Sequence, residues 1–225
     1  MEKGKIKLKT KRLIIEPMAD DEMEQLIAET KDSAIKAAFQ KMYDDTMDNP
    51  KDWLWYVLWK ISLKDTKKKI GEACFKGPAQ DYSVEIGYGI DDTMQGKGYM
   101  TEAARALIDW ALSQPDVYFV EAETTEDNVP SKRVLEKLKF KEDGKGEEGP
   151  RFVLEQALTE WMPIFMLFGI SIGSGIGNLS DSVGIGMCMG MSVGLLVGVL
   201  MDNLEKKRRQ KIREERMANR VEANQ

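Results

Sequence analysis

The sequence predicts a mixed α/β sheet with helices on its faces, followed by a two-helix transmembrane hairpin. Three observations lead there. Short branched and aromatic segments alternate with helical apolar periods over residues 1–158. The composition then changes at Trp161 to two apolar runs without a charged residue. A basic segment follows them. The expected organisation is therefore a folded α/β domain over 1–158, a glycine-rich hairpin over 159–203, and a charged tail over 204–225.

Leu8 to Glu16 (LKTKRLIIE) reads as a first strand stopped by Pro17. Asp20 to Gln40 reads as one helix, with an acidic start and apolar spacing through Met23, Leu26, Ile27, Ile35 and Phe39. Asp45 to Asp52 is expected to be loop, and Trp53 to Leu63 (WLWYVLWKISL) a strand that turns at Lys64 to Lys69 and pairs with Ile70 to Lys76. Ser83 to Ile90 alternates, with Val84, Ile86, Tyr88 and Ile90 on one face. Met100 to Leu112 carries a helical period. Val117 to Thr125 reads as a strand, Ser131 to Leu138 as a short helix, and Arg151 to Glu155 as a last short strand.

Trp161–Leu179 and Val183–Met201 would each span about 28 Å as helices, close to a bilayer core. Gly169, Gly173 and Gly177 recur every four residues, as do Gly186, Gly190, Gly194 and Gly198. In lipid such faces let helix backbones approach closely, and they also offer a contact for a homo-oligomer. Eight of the 33 basic residues lie between Lys206 and Arg220, so this end should stay inside. Two spans return the chain to its starting side. The expectation is a cell-membrane protein with its folded domain and C-terminus both cytoplasmic, and with Trp161 as an interface anchor. A glycine-rich hairpin buried in a soluble protein is the alternative.

Composition narrows the chemistry. The net charge is −5 and the basic residues concentrate in the tail, so the folded part lacks the basic face of a nucleic-acid binder. There is no histidine, which removes the Ser-His-Asp and Cys-His nucleophiles and the usual zinc sites. Cys74 and Cys188 show no disulfide or metal spacing. The soft ligands of Met187-Cys188-Met189 alternate around a helix and cannot converge on copper, so no metal is expected. Trp53, Trp55, Trp59 and Trp110 suit a core or a cleft wall.

Residues 94–103, MQGKGYMTEA, break into two glycines at a helix start. They match neither a P-loop nor a dinucleotide fingerprint. They do offer a nest of backbone N–H groups at a helix N-terminus, suited to a pyrophosphate, although such a turn can equally be empty.

The run Gln95-Gly96-Lys97-Gly98-Tyr99-Met100 resembles the Q/R-x-x-G-x-G/A loop of the GNAT superfamily of acetyl-coenzyme A-dependent N-acetyltransferases. Asn128 through Phe140 (NVPSKRVLEKLKF) is similar to that superfamily's N-x-x-S-x-x-v-L-x-K-x-G-F segment, and TKRLIIEPM and EIGYGI also resemble it. The branch with ribosomal-protein N-terminal acetyltransferases is nearest, over roughly residues 8–155. Met100 stands where a small residue is usual, and Lys139 where glycine is usual.

The resemblance implies a GNAT-like fold that binds acetyl-coenzyme A as cosubstrate and transfers its acetyl group by direct attack of a primary amine. The amine could belong to a protein N-terminus, a small molecule or an amino sugar. By the resemblance, Gln95, Gly96, Lys97, Gly98, Tyr99 and Met100 hold the pyrophosphate. Ile90 ends the strand beside the pantetheine arm, and Asn128 bonds its amides. Glu85 stands where some members carry a general base, though it could simply pair with a neighbouring strand. Many members protonate the departing thiolate with a tyrosine, but Leu135 occupies that position. Ser131 is the nearby hydroxyl for that role, or else a helix cap. A catalytically inactive acetyl-coenzyme A-binding scaffold on a membrane anchor is the competing expectation.

Overall fold

The computed structural model describes residues 6–179 and 181–223, so Ser180 of the expected hairpin link lies outside the described residues. The chain divides into two compact units, one ending at Gln156 and the other beginning at Ala157.

The first unit is built on a sheet of eight described strands in the order β1-β2-β3-β4-β5-β6-β8-β7. They are β1 (Leu8–Lys9), β2 (Leu13–Pro17), β3 (Trp59–Leu63), β4 (Lys69–Phe75), β5 (Ser83–Ile90), β6 (Phe119–Glu123), β7 (Lys141–Lys145) and β8 (Pro150–Glu155). Neighbours are antiparallel except β5 and β6, which run parallel across the connection through α3 (Tyr99–Leu112). Helices cover both faces, as expected of the α/β fold. α3 buries Met100, Ala103, Ala104, Leu107, Ile108 and Ala111 against the sheet, joined by Leu135 and Leu138 at α4 (Val129–Lys137). Burying Leu107 or Ile108 contributes about 1.5–3 kcal/mol each. A smaller cluster of Met18, Met23, Ile27 and Leu58 gathers under α1 (Asp20–Glu29) and α2 (Ser33–Asp48). Cys74 packs there, and burial pushes its thiol up to about 11, so it is inert at neutral pH.

Met100 does not crowd the helix start: its side chain is 5% exposed and belongs to the core. Lys139 adopts φ +68°, the left-handed angle that glycine would take, so the turn before Phe140 keeps its shape at some strain. Trp59 is fully buried, and the Trp110 ring lies tilted against Trp55 and Trp59 with centroids 4.9 and 5.1 Å apart, so Trp55 and Trp110 pack partly buried against the core.

Several expected elements differ. The first strand is a two-strand hairpin, because Thr10 turns the chain: its N–H and the Leu13 carbonyl are 3.1 Å apart, and its Oγ1 accepts from Leu13 N–H at 3.0 Å. The single helix over Asp20 to Gln40 is two. Thr30 closes α1 by bonding Leu26 O through both N–H and hydroxyl, and Asp32 caps α2 by accepting from Ala34 and Ile35. α2 runs on to Asp48, into the expected loop. Trp53–Trp55 form a 3₁₀ turn instead of strand. The edge strand β7 (KEDGK) carries no apolar alternation.

The second unit is a helical hairpin of α5 (Trp161–Leu179) and α6 (Val183–Ala223). α6 does not stop at Met201; the basic segment continues it as one helix. A Cβ at Gly173 would overlap the Gly186 carbonyl, and one at Gly190 the Gly169 carbonyl. The same holds for Gly194 against Phe165, and Gly198 meets Met162. Asp202 closes the open end by accepting the N–H groups of Trp161 at 2.6 Å and Met162 at 3.3 Å, which caps α5 from its partner helix. The glycine faces thus meet each other within one chain. These contacts give no support to the expected homo-oligomer through the GxxxG faces.

Candidate active site

Parallel pairing of β5 with β6 covers only Ser83↔Phe119, Val84↔Val120 and Glu85↔Glu121. Beyond Glu85 the two strands part, while β5 stays paired to β4 as far as Ile90. The sheet opens there, leaving one backbone edge of Ile86–Ile90 without a neighbouring strand among the described residues. A cleft of about 550 Å³ occupies the opening. Tyr88, Gly89 and Ile90 form one wall, and Asn128, Pro130, Ser131 and Val134 of α4 form the other.

The loop after β5 closes one end. Gly96 (φ +73°) and Gly98 (φ +76°) are both left-handed, and the space where a Gly96 Cβ would lie is open for 4 Å. α3 starts at Tyr99 with Gly98 as its N-cap and no side-chain cap, and its first i−4 bond is Glu102 N–H to Gly98 O at 3.1 Å. The N–H groups of Tyr99, Met100 and Thr101 therefore precede any helical acceptor and face the cleft end, where the helix dipole adds positive potential. An uncapped helix start behind two left-handed glycines fits a pyrophosphate. Of the residues expected here, Gln95, Gly96, Gly98, Tyr99 and Met100 line the cleft, as do Ile90 and Asn128. Lys97 does not: its ammonium folds back to donate to Thr93 O at 2.8 Å.

A network holds the loop to the β1–β2 turn. Arg12 Nε donates to Glu102 Oε2 at 2.7 Å and its Nη1 to Lys97 O at 3.0 Å, with its guanidinium 4.3 Å from the Tyr99 ring centroid. Thr10 Oγ1 and Arg12 N–H both donate to Glu102 Oε1, at 2.6 and 2.8 Å. Burial alone would raise the Glu102 carboxyl, but the bonds from Thr10 and Arg12 outweigh it and hold the group below the usual carboxylate range. The sequence does not single out Arg12. Its position in TKRLII, ninety residues from Glu102, carried no local signal.

On the α4 wall, Asn128 Oδ1 accepts from Ser131 N–H at 3.1 Å and so caps the helix, which Pro130 helps to start. Ser131 lies inside α4 and is not the cap. Its hydroxyl instead meets Tyr88 Oη at 3.1 Å across the cleft. Burial pushes the Tyr88 hydroxyl above the usual phenol value, only partly offset by Ser131. Leu135 is fully buried in the core. In the sequence Tyr88 stands out only as one residue of the apolar face of β5.

Glu85 is not in the cleft lining. It sits at the last position of β5 that pairs with β6, an odd number of residues from Tyr88, and therefore on the other face of the sheet. Lys76 Nζ pairs with its Oε1 at 2.5 Å and with Glu148 at 3.2 Å. Burial raises the Glu85 carboxyl, and Glu123 and Glu148 add to this against the pull of Lys76. On that face Arg151 binds Glu123 at 2.9 Å. The pairing of Glu85 to a residue of the adjoining strand end was one of the two expected roles; the raised carboxyl suits the other.

The acetyltransferase (GNAT) domain family matches residues 12–141, more than half of the chain. Among curated proteins, the chain is 40% identical over 83 residues to the uncharacterized N-acetyltransferase YjdG of Bacillus subtilis strain 168, covering 36% of this chain and 49% of that protein. The chain thus spans about half the length of the curated relatives it matches. Among solved structures it is similar to a ribosomal-protein-S5-alanine acetyltransferase from Vibrio fischeri, at 17% identity and TM-score 0.54, covering 67% of this chain and 96% of that one. It is also similar to a ribosomal L7/L12 α-N-protein acetyltransferase solved with coenzyme A, at 14% identity and TM-score 0.54, over 67% and 98% of the two chains. At these identities the solved structures establish the fold. With the open β5 edge, the left-handed glycines before α3 and the family match over residues 12–141, the chain belongs to the GNAT acetyltransferase family.

Proposed function

We propose that the chain transfers an acetyl group from acetyl-coenzyme A to a primary amine, and that its C-terminal hairpin holds it in a membrane. The observation that carries the first part is the unpaired edge of β5 running from the splay point at Glu85 to an uncapped helix start. Acetyl-coenzyme A fits that path. Its pyrophosphate suits the amides of Gly96 to Thr101 and its pantetheine arm the free β5 edge, with Gln95, Ile90 and Asn128 as walls. The thioester then arrives near Tyr88 and Ser131. Positioning supplies most of the catalysis in such a direct attack. The amine approaches from the opposite face, where Glu85, Glu121, Glu123 and Glu148 make the surroundings acidic, and Glu85 takes its proton directly or through water. The acceptor class stays at "primary amine": the named substrates of the Vibrio fischeri protein and of the L7/L12 enzyme are theirs.

The membrane part rests on the hairpin's outer surface. Both helices are long and apolar enough to cross a bilayer, and Leu167, Phe168, Ile172, Ile176 and Leu196 are each at least 60% exposed. With the backbone closed by the glycine contacts, lipid is the solvent these side chains fit. The basic turns after Met201 support a cytoplasmic side for both ends of the hairpin.

Full-length protein in nanodiscs tests both parts. Saturable heat of acetyl-coenzyme A binding and amine-dependent release of coenzyme A are expected over a panel of peptides, polyamines and amino sugars. Binding without turnover on any amine would favour the scaffold alternative, and absence of binding would refute the cofactor reading. Recovery of the chain in the soluble fraction after carbonate extraction would remove the membrane part.

A further inference from the structure

Acyl transfer leaves a thiolate that needs a proton, and the helix position that often supplies a tyrosine holds Leu135, fully buried away from the cleft. A phenol is nevertheless present. Tyr88 reaches across the splayed sheet from β5 to Ser131 on α4, Oη to Oγ 3.1 Å. Both residues line the cleft, and they bridge its two walls beyond the last β5–β6 pair. Ser131 is held by its own N–H bond to Asn128, so its hydroxyl has a fixed origin. The Tyr88 ring stands on the buried face of β5, with Val84 and Ile86.

Resting on the acetyltransferase reading above, we propose that Tyr88 is the positioning residue and proton source for Ser131, and that the pair delivers the proton to the departing coenzyme A sulfur. When the C–S bond breaks, its electron pair goes to sulfur. Sulfur takes the Ser131 Oγ proton, and Ser131 retakes one from Tyr88 Oη. The proton lost by the amine nitrogen returns through solvent to the tyrosinate, so N–H and C–S are exchanged for N–C and S–H. A serine alone is a poor acid for a thiolate. A phenol, even raised by burial above its ordinary value near 10, is a stronger acid than a serine hydroxyl and closer to a thiol, ordinarily about 8.5. A tyrosine on the strand thereby fills the place left empty on the helix.

The test uses the full-length chain in nanodiscs loaded with coenzyme A. The bound thiol is alkylated with iodoacetamide at a series of pH values, and S-alkylated coenzyme A is measured by mass spectrometry. Donation from the hydroxyl pair stabilises the thiolate and lowers the apparent thiol pKa. Y88F and S131A should each raise it by about one unit relative to wild type, while S131T restores it. With any amine that turns over, Y88F should lower kcat about tenfold to a hundredfold, with KM for acetyl-coenzyme A within about twofold. Coenzyme A affinity within about threefold of wild type certifies that the variant is folded. An unchanged thiol titration in Y88F overturns the proposal while leaving the acetyltransferase reading intact. Failure of the wild type to bind coenzyme A refutes that reading itself.

Discussion

Glycine does two different jobs in the two units of this chain. At the start of α3, Gly96 and Gly98 supply left-handed backbone angles, and nothing lies within 4 Å of where a Gly96 Cβ would be. In the hairpin, none of Gly169, Gly173, Gly186, Gly190, Gly194 or Gly198 has a positive φ, yet a Cβ on each would strike backbone of the opposite helix. The first pair is there for conformation, with space left over for a ligand. The second set is there for space, with helical conformation left intact. One residue type therefore marks a binding loop in one unit and a backbone contact in the other, and substitution separates the two.

The largest effect is expected in the hairpin. Gly173→Leu with Gly190→Leu should force the helices apart toward the about 8–10 Å interaxial distance of ordinary packing, at a cost of about 3 kcal/mol or more. Gly184→Leu, where nothing lies within 4 Å, should change neither spacing nor stability. Spin labels at Ile172 and Met189, both outward-facing, report the spacing in a Cys188→Ser background. Equal distances in the double variant and in Gly184→Leu would mean that the glycine contacts do not set the hairpin.

In the loop the ordering reverses, because conformation and not volume is at stake. Gly96→Val puts a β-branched residue at φ +73°, which costs at least about 1–2 kcal/mol and should weaken acetyl-coenzyme A about tenfold or more. Gly96→Asn, equally without a clash, should lose only a small part of that, since Asn visits this region. Calorimetric titration decides. If Val and Asn weaken binding equally, the loop's backbone angle is not what holds the ligand.

That contrast also explains what the sequence made legible. Gly96, Gly98, Asn128 and the apolar period of α3 are local patterns, and the structure places them together at one cleft. The four-residue glycine spacing marked the close contact, but not whether the partner helix was in the same chain; the hairpin's register decides that. The helix break at Thr30–Asp32 was a second N-cap hidden inside one apolar period, and β7 is held by β8 with no apolar face of its own. Arg12 and Tyr88 could not be singled out, because each gains its role from a residue far along the chain: Glu102 in one case and Ser131 in the other.

An intermediate effect concerns what holds the loop in place. Arg12→Ala should remove the guanidinium bonds to Glu102 and Lys97 O and weaken acetyl-coenzyme A by about threefold to tenfold. The same contact has a pH signature. Glu102 is lowered in the folded state, so its contribution is fully present above its ordinary value near 4.5 and is lost as pH falls through the folded value. Wild-type stability should therefore decline on acidification below about pH 4.5 more steeply than that of Glu102→Gln, which carries no such titration. Parallel acid denaturation curves for the two would show that Glu102 does not tie the loop down.

The smallest effect should come from the residue that looks most like a phosphate ligand. Lys97 lies between the two glycines, but its ammonium donates to Thr93 O at 2.8 Å and the residue is not part of the cleft lining. If the amides of Gly96 to Thr101 carry the anion, Lys97 adds only a distant, solvent-screened charge. Lys97→Ala should then change acetyl-coenzyme A affinity by less than about twofold at physiological salt, with little dependence on ionic strength. A tenfold loss that fades at high salt would mean that the lysine swings onto the ligand. In that case the glycines would serve to free its side chain, and conformation in the loop would act through a charge instead of through the backbone.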